Sequence, residues 1–209
     1  TQRKKIFIFL EVSNVLVTNE SLRKLFRHEN CEICGQNDCL KFSERVTNST
    51  PINLIQFDKG CFDKIKKICE IARKKKLEPI VVNCSAMRMI AGFDEVLCEH
   101  LGLKFGESFR TFPKVDEENC DALMVDCVEQ NFSEIFSWCA ILSNVTNYSK
   151  LKRMDKVIEC EDGIGEDEFE LIIETLELNK KIVKKKVPVE QKKKCNLGDI
   201  YGRWSKGTC

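Results

Sequence analysis

Residues 5–10 read KIFIFL, five apolar residues in a row after Lys5, and the run stops at an acid, Glu11. Five apolar positions without polar alternation leave no face for water, so the segment reads as a strand buried on both sides. Such a strand needs a layer above it and a layer below it. The solution that supplies both is a parallel sheet covered by helices.

The downstream pattern agrees. Residues 58–76, DKGCFDKIKKICEIARKKK, put Phe62, Ile65, Ile68, Cys69 and Ala72 on one helical face and lysines on the other. The four cations at 73–76 fall at the negative end of that helix dipole. Pro79 then opens a short strand, PIVVN. Residues 93–101 read as a helix stopped by Gly102. Residues 121–127 read as a short strand or turn, and FSEIFSW at 132–138 is too short to decide between helix and loop. CAILSN at 139–144 and KVIEC at 156–160 read as strands. Residues 165–178 form a helix with Phe169, Ile172, Ile173 and Leu176 inward and Glu166, Asp167 and Glu168 at its positive end. Strands alternating with helices give an α/β fold: a mostly parallel, Rossmann-like sheet with helices on both faces. Its ligand-binding edge would hold Glu11 to Ser13, Asn83 to Ser85, and Ser143 with Asn144.

Charge divides the chain. The formal net charge of +1 conceals +8 on residues 180–209 and −7 on residues 1–179. We therefore expect one domain over 1–179, interrupted by an irregular Cys-rich insertion at 22–56, and a basic tail at 180–209. Residues 180–195 carry eight lysines, among them Lys184, Lys185, Lys186, Lys192, Lys193 and Lys194, and Pro188 breaks any helix there. Lysines without arginine suit phosphates rather than base edges. Tyr201 and Trp204 follow on a glycine-containing stretch. A basic linker with an aromatic end reads as a docking segment for a protein complex or ribonucleoprotein, RNA contact included; a nuclear-import signal fits the lysines equally.

Thirteen cysteines, an odd number, are scattered singly through apolar stretches and do not form a disulfide framework pattern. Buried thiols and a reducing compartment, cytoplasm or nucleus, are expected. No membrane span is expected, and TQRKK running straight into a strand does not read as a secretory leader, so any targeting peptide is expected to have been removed already. One cluster stands apart: His28, Cys31, Cys34 and Cys39, with Gly35 after the second thiolate. These are ligand types for a structural zinc that would staple the insertion. A single CxxC in a Cys-rich chain also fits a loop of unpaired thiols.

Several stretches, in order, resemble the haloacid-dehalogenase (HAD)-like phosphatases, in particular the FCP/SCP-type carboxy-terminal-domain phosphatases and the related mitochondrial presequence-translocase receptor subunit. They are Leu10-Glu11-Val12-Ser13-Asn14-Val15-Leu16-Val17, Val81-Val82-Asn83-Cys84-Ser85-Ala86, Ser108-Phe109-Arg110, Met124-Val125-Asp126-Cys127-Val128, and Ala140-Ile141-Leu142-Ser143-Asn144-Val145. The resemblance spans roughly residues 5–178 and leaves a mitochondrial-type organelle open as a location. It implies an aspartate nucleophile, an aspartate acid/base, a lysine for the phosphoryl oxygens and a Mg²⁺ held partly by a further aspartate. At those positions this chain has Glu11, Ser13, Val125 and Ser143, and Cys84 stands in the second motif. Glu11 is one methylene too long, Ser13 is no acid/base near neutral pH, Val125 has no charge, and Ser143 is a poor Mg²⁺ ligand. The resemblance therefore implies a pseudophosphatase with no catalytic cofactor. On its own chemistry, Glu11 reads as a strand-end carboxylate capping backbone N–H groups, and Cys84 as a packed thiol, with His28 and His100 both remote from it in sequence. Two other readings remain open. One is a divergent Mg²⁺-dependent phosphatase. The other is a PIN/NYN-like nuclease relative, for which Asp121 and Asp126 would supply acids.

Overall fold

The computed structural model describes residues 3–21, 57–113, 120–143, 151 and 155–179. β1 (Lys5–Leu10) is buried at every position after Lys5. Ile6, Ile8 and Leu10 enter one core cluster, and Phe7 and Phe9 enter another. The continuous apolar run is thus a strand covered on both faces.

β1 pairs in parallel with β2 (Glu78–Asn83) on one side and with β4 (Ile135–Ser143) on the other. β3 (Phe109–Thr111) pairs with β2, and β5 (Val157–Cys160) with β4, both in parallel. The strand order is β3-β2-β1-β4-β5. The chain walks outward from β1 through β2 to β3 and then crosses back to β4, so the order reverses beside β1. This is an α/β fold whose described strands are all parallel.

Helices cover both faces. α1 (Lys59–Lys74) links β1 to β2, and α2 (Phe93–Leu101) links β2 to β3. With α4 (Glu166–Thr175), after β5, they cover the Ile6–Ile8–Leu10 face through Phe62, Ile65, Phe93, Leu97, Phe169 and Ile172. α3 (Cys120–Gln130) links β3 to β4 and covers the opposite face, where Met124 packs in the cluster of Phe7, Phe9 and Trp138. Phe9 meets Trp138 edge-on, centroids 5.9 Å apart at 80°, a preferred aromatic geometry.

The helix ends follow from their residues. Asp58 caps α1 by accepting the Cys61 N–H at 3.0 Å. Gly102, at φ 63°, stops α2 in the left-handed conformation that glycine adopts without strain. Glu168 reaches back to the Gly165 N–H at 2.9 Å at the start of α4.

Two expectations need correction. Residues 121–127 belong to a helix, not a strand or turn. Cys120, Leu123, Met124, Cys127 and Val128 recur at helical spacing and face the Phe7–Phe9 core, but Asp121, Asp126 and the β-branched valines weaken that stripe when read alone. Residues 132–138 are neither helix nor loop throughout: 131–134 turn, and β4 begins at Ile135. The strand starts early because the Lys5 N–H finds Glu134 O at 2.8 Å, a partner invisible to local pattern. The insertion at 22–56 and the tail at 180–209 lie outside the described residues. Among the described residues no helix is long and apolar enough to cross a membrane.

Candidate functional site

A parallel sheet whose order reverses beside β1 has its crevice between the carboxyl ends of β1 and β4. Glu11 and Ser143 occupy that place. The Glu11 N–H donates to Ile141 O at 3.0 Å. Its Oε2 accepts the Ser143 N–H at 2.7 Å, a charge-assisted bond across the switch point. Asn14 Nδ2 donates to Ser143 Oγ at 3.3 Å. The carboxylate therefore does what its position at a strand end suggests: it satisfies a backbone N–H of the neighbouring strand.

A tight turn holds these groups. The N–H groups of Val15, Leu16 and Val17 all donate to Val12 O, at 3.2, 2.8 and 3.0 Å. Asn14 sits in the left-handed region at φ 58°, where asparagine is among the better-tolerated residues. Its carbonyl accepts the Gly163 N–H at 2.7 Å, which ties the turn to the segment after β5. Ser13 lies inside this turn, half-buried. Farther out, the Asn19 N–H donates to Asp162 Oδ1 at 2.6 Å and the Thr18 hydroxyl to Asp58 Oδ2 at 3.1 Å.

The end of β2 adds a second polar knot. Asn83 Nδ2 donates to Asp94 Oδ1 at 2.7 Å, and Asn83 Oδ1 accepts the Ser85 N–H at 3.0 Å. Cys84 is buried against the Phe7–Phe9 core, and its N–H donates to Leu10 O at 3.1 Å. Burial, then the charge of Glu11, then Cys120 push the Cys84 thiol well above its ordinary range. A protonated buried thiol is not a nucleophile. Arg88, which the sequence reading passed over, is 1% exposed. Its guanidinium donates to the carbonyls of Cys84, Ser85 and Pro113 at 3.3, 2.8 and 3.2 Å. It ties the end of β2 to the segment leaving β3. The available signal was a lone cation in the apolar stretch 84–93.

Val125 sits in α3 and packs, half-buried, on the Phe7–Phe9 core. Arg110 lies on β3 with its guanidinium 5.8 Å from the Phe7 ring centroid. Of the matched positions, the structure brings Glu11 and Ser143 into direct contact, with Cys84 near enough to feel the Glu11 charge. Glu11 is the one acid among them, and its carboxylate already accepts from Ser143. Ser13 and Ser143 offer neutral oxygens, where Mg²⁺ is ordinarily anchored by carboxylates. Among the described residues, no three His, Cys, Asp or Glu side chains converge as a metal-binding group. The donor set does not fit the Mg²⁺ that the sequence resemblance implies. The zinc set His28, Cys31, Cys34 and Cys39 and the tail residues Lys184 to Lys186, Lys192 to Lys194, Tyr201 and Trp204 lie outside the described residues.

No family model matches the chain. No curated protein matches it either. A solved structure of a phospho-aspartyl intermediate analogue of phosphoserine phosphatase aligns over 73% of this chain and 84% of that chain, at 11% sequence identity and a TM-score of 0.35. A superposition that loose carries no argument about family or chemistry.

Proposed function

We propose that this chain is a HAD-like pseudophosphatase of the FCP/SCP type: a module that binds a protein complex or ribonucleoprotein and hydrolyses nothing, its basic tail contacting an anionic partner. The carrying observation is the bond from the Ser143 N–H to Glu11 Oε2. It gives the residue in the nucleophile's place a bridging role between two strand ends. Ser13, Val125 and Ser143 leave no second carboxylate, no cation and no carboxylate metal ligand at the other matched positions. Removing such parts together abolishes phosphoryl transfer rather than slowing it. The tail's net charge of +8 supports the anionic partner. None of the eight described cysteines is disulfide-bonded, which supports a reducing compartment, cytoplasm or nucleus. His28, Cys31, Cys34 and Cys39 form the proposed structural zinc site, for which the purified chain should carry stoichiometric zinc that Cys31→Ser removes.

The test is p-nitrophenyl phosphate hydrolysis with Mg²⁺. The proposal expects no turnover above buffer and a Glu11→Gln chain that still folds. Turnover that disappears in Glu11→Gln would establish the divergent phosphatase instead.

A further inference from the structure

Because the described strands are all parallel, their amino ends share one edge, opposite the Glu11 crevice. That edge is cationic. Arg3 and Lys4 precede β1, and the cations at 73–76 close α1 and lead through Leu77 into β2. The Glu78 N–H donates to Lys4 O at 2.9 Å, which sets the two cationic segments side by side although some 70 residues separate them. Arg3, Lys4, Arg73, Lys74 and Lys76 are exposed. The acids on these segments are the exposed Glu70, three and four residues before Arg73 and Lys74, the exposed Glu129 just before the 131–134 turn, the half-buried Glu78, and Glu134, which Lys5 holds in an ion pair; the cations at 3–5 and 73–76 outnumber them.

On the other flank of β1, Lys4 Nζ donates to Ser133 O. The turn at 131–134 therefore stands against the same cationic segment, and in that turn Phe132 is 79% exposed. Strands lie about 4.8 Å apart, so the starts of β2, β1 and β4 span roughly 10 Å. Cations and an open phenyl ring share that short line.

We propose that this amino edge binds single-stranded nucleic acid, with Arg3, Lys4, Arg73, Lys74 and Lys76 on phosphates and Phe132 stacking against a base. Point charges along a backbone beside an aromatic platform are what sequence-tolerant single-strand binding requires. An acidic peptide would use the cations and leave the ring without a stacking partner. The inference deepens the binding role proposed above and is carried by residues 3–4, 73–76 and 132 alone.

Fluorescence anisotropy of a labelled oligouridylate against the full chain, over a series of salt concentrations, tests it. Phe132→Ala should weaken binding about tenfold, the loss of one stacked base. Its circular dichroism should match the parent, since the ring is exposed. Arg73→Gln with Lys74→Gln should lower the magnitude of the log–log salt slope by about 1.4, for two phosphate contacts to a single strand. A parent chain that binds no oligouridylate overturns the inference. So does binding that ignores both body variants and disappears with Lys184→Gln, Lys185→Gln and Lys186→Gln, an outcome that leaves the tail's role standing. Polyglutamate displacing the oligonucleotide while Phe132→Ala has no effect would assign the edge to an acidic protein surface instead.

Discussion

Asp58 shows how much a single side chain fixes in this chain. Its carboxylate caps α1 at the Cys61 N–H and accepts the Thr18 hydroxyl, and its own N–H donates to Leu16 O at 2.7 Å. It thereby pins the first helix to the turn that shapes the crevice. Burial alone would raise its pKa, but the hydrogen bonds from the Cys61 N–H and the Thr18 hydroxyl outweigh that and hold it below 3.8. A carboxyl with a depressed folded-state pKa stabilises fully above its unfolded value and loses that contribution as pH falls through the folded one. Asp58→Ala should cost about 1 kcal/mol at neutral pH, read as a lower urea midpoint, and the gap to the parent should shrink below about pH 3.8. Gly163 is as constrained. At φ 94° an added Cβ would lie 2.8 Å from Thr18 Cγ2 and 3.0 Å from Cys61 Sγ. Gly163→Ala should destabilise by more than ~1 kcal/mol. Glu11 gives a sharper contrast. Glu11→Gln keeps an oxygen to accept the Ser143 N–H, whereas Glu11→Ala removes it and should cost about 1–3 kcal/mol in the same denaturation experiment. Equal losses in the two variants would remove the bridging role.

Among the elements, α1 is the clearest case of sequence periodicity becoming structure. Cys61, Phe62, Ile65, Ile68, Cys69 and Ala72 are buried, the stripe read from spacing plus Cys61 one residue earlier. Ile68 is fully buried, so Ile68→Ala should cost about 2–5 kcal/mol through lost burial and a residual cavity. Its neighbour Lys67 is exposed and stands 4.9 Å over the Phe169 ring. Lys67→Ala should cost only about 0.5 kcal/mol. Comparable losses at the two positions would mean that α1 does not dock through the Ile68 face. α3 and β4 were less legible. The α3 stripe becomes evident only against Phe7 and Phe9, and β4 owes its early start to Lys5 and Glu134.

Across the whole molecule, the cysteines report on the core. Cys69 and Cys139 lie in the Ile6–Ile8–Leu10 cluster. Burial lifts the Cys69 thiol to about 11 and raises Cys139 as well. At pH 8 a thiol at that level is thiolate to roughly one part in a thousand. Iodoacetamide should therefore leave both unmodified in the native chain and label them once urea unfolds it, with peptide mapping as the readout. Native-state labelling of Cys139 as fast as that of the half-buried Cys120 would mean the core opens far more readily than its packing implies.

The sequence alone determined what short-range order can encode. KIFIFL had to be covered on both faces, Gly102 had to end a helix, and the side chains of Glu11, Ser13, Val125 and Ser143 could be weighed for the chemistry they allow. The tertiary structure decided neighbours. The contact from Ser143 to Glu11 joins residues 132 apart, Arg88 became a buried clamp between two strand ends, and the turn that carries Phe132 came to accept from Lys4 through the Ser133 carbonyl at the far edge. Local periodicity tells a segment which of its faces must hide. Which segment hides it depends on the strand order, and that order is settled only when the whole sheet closes over both cores at once.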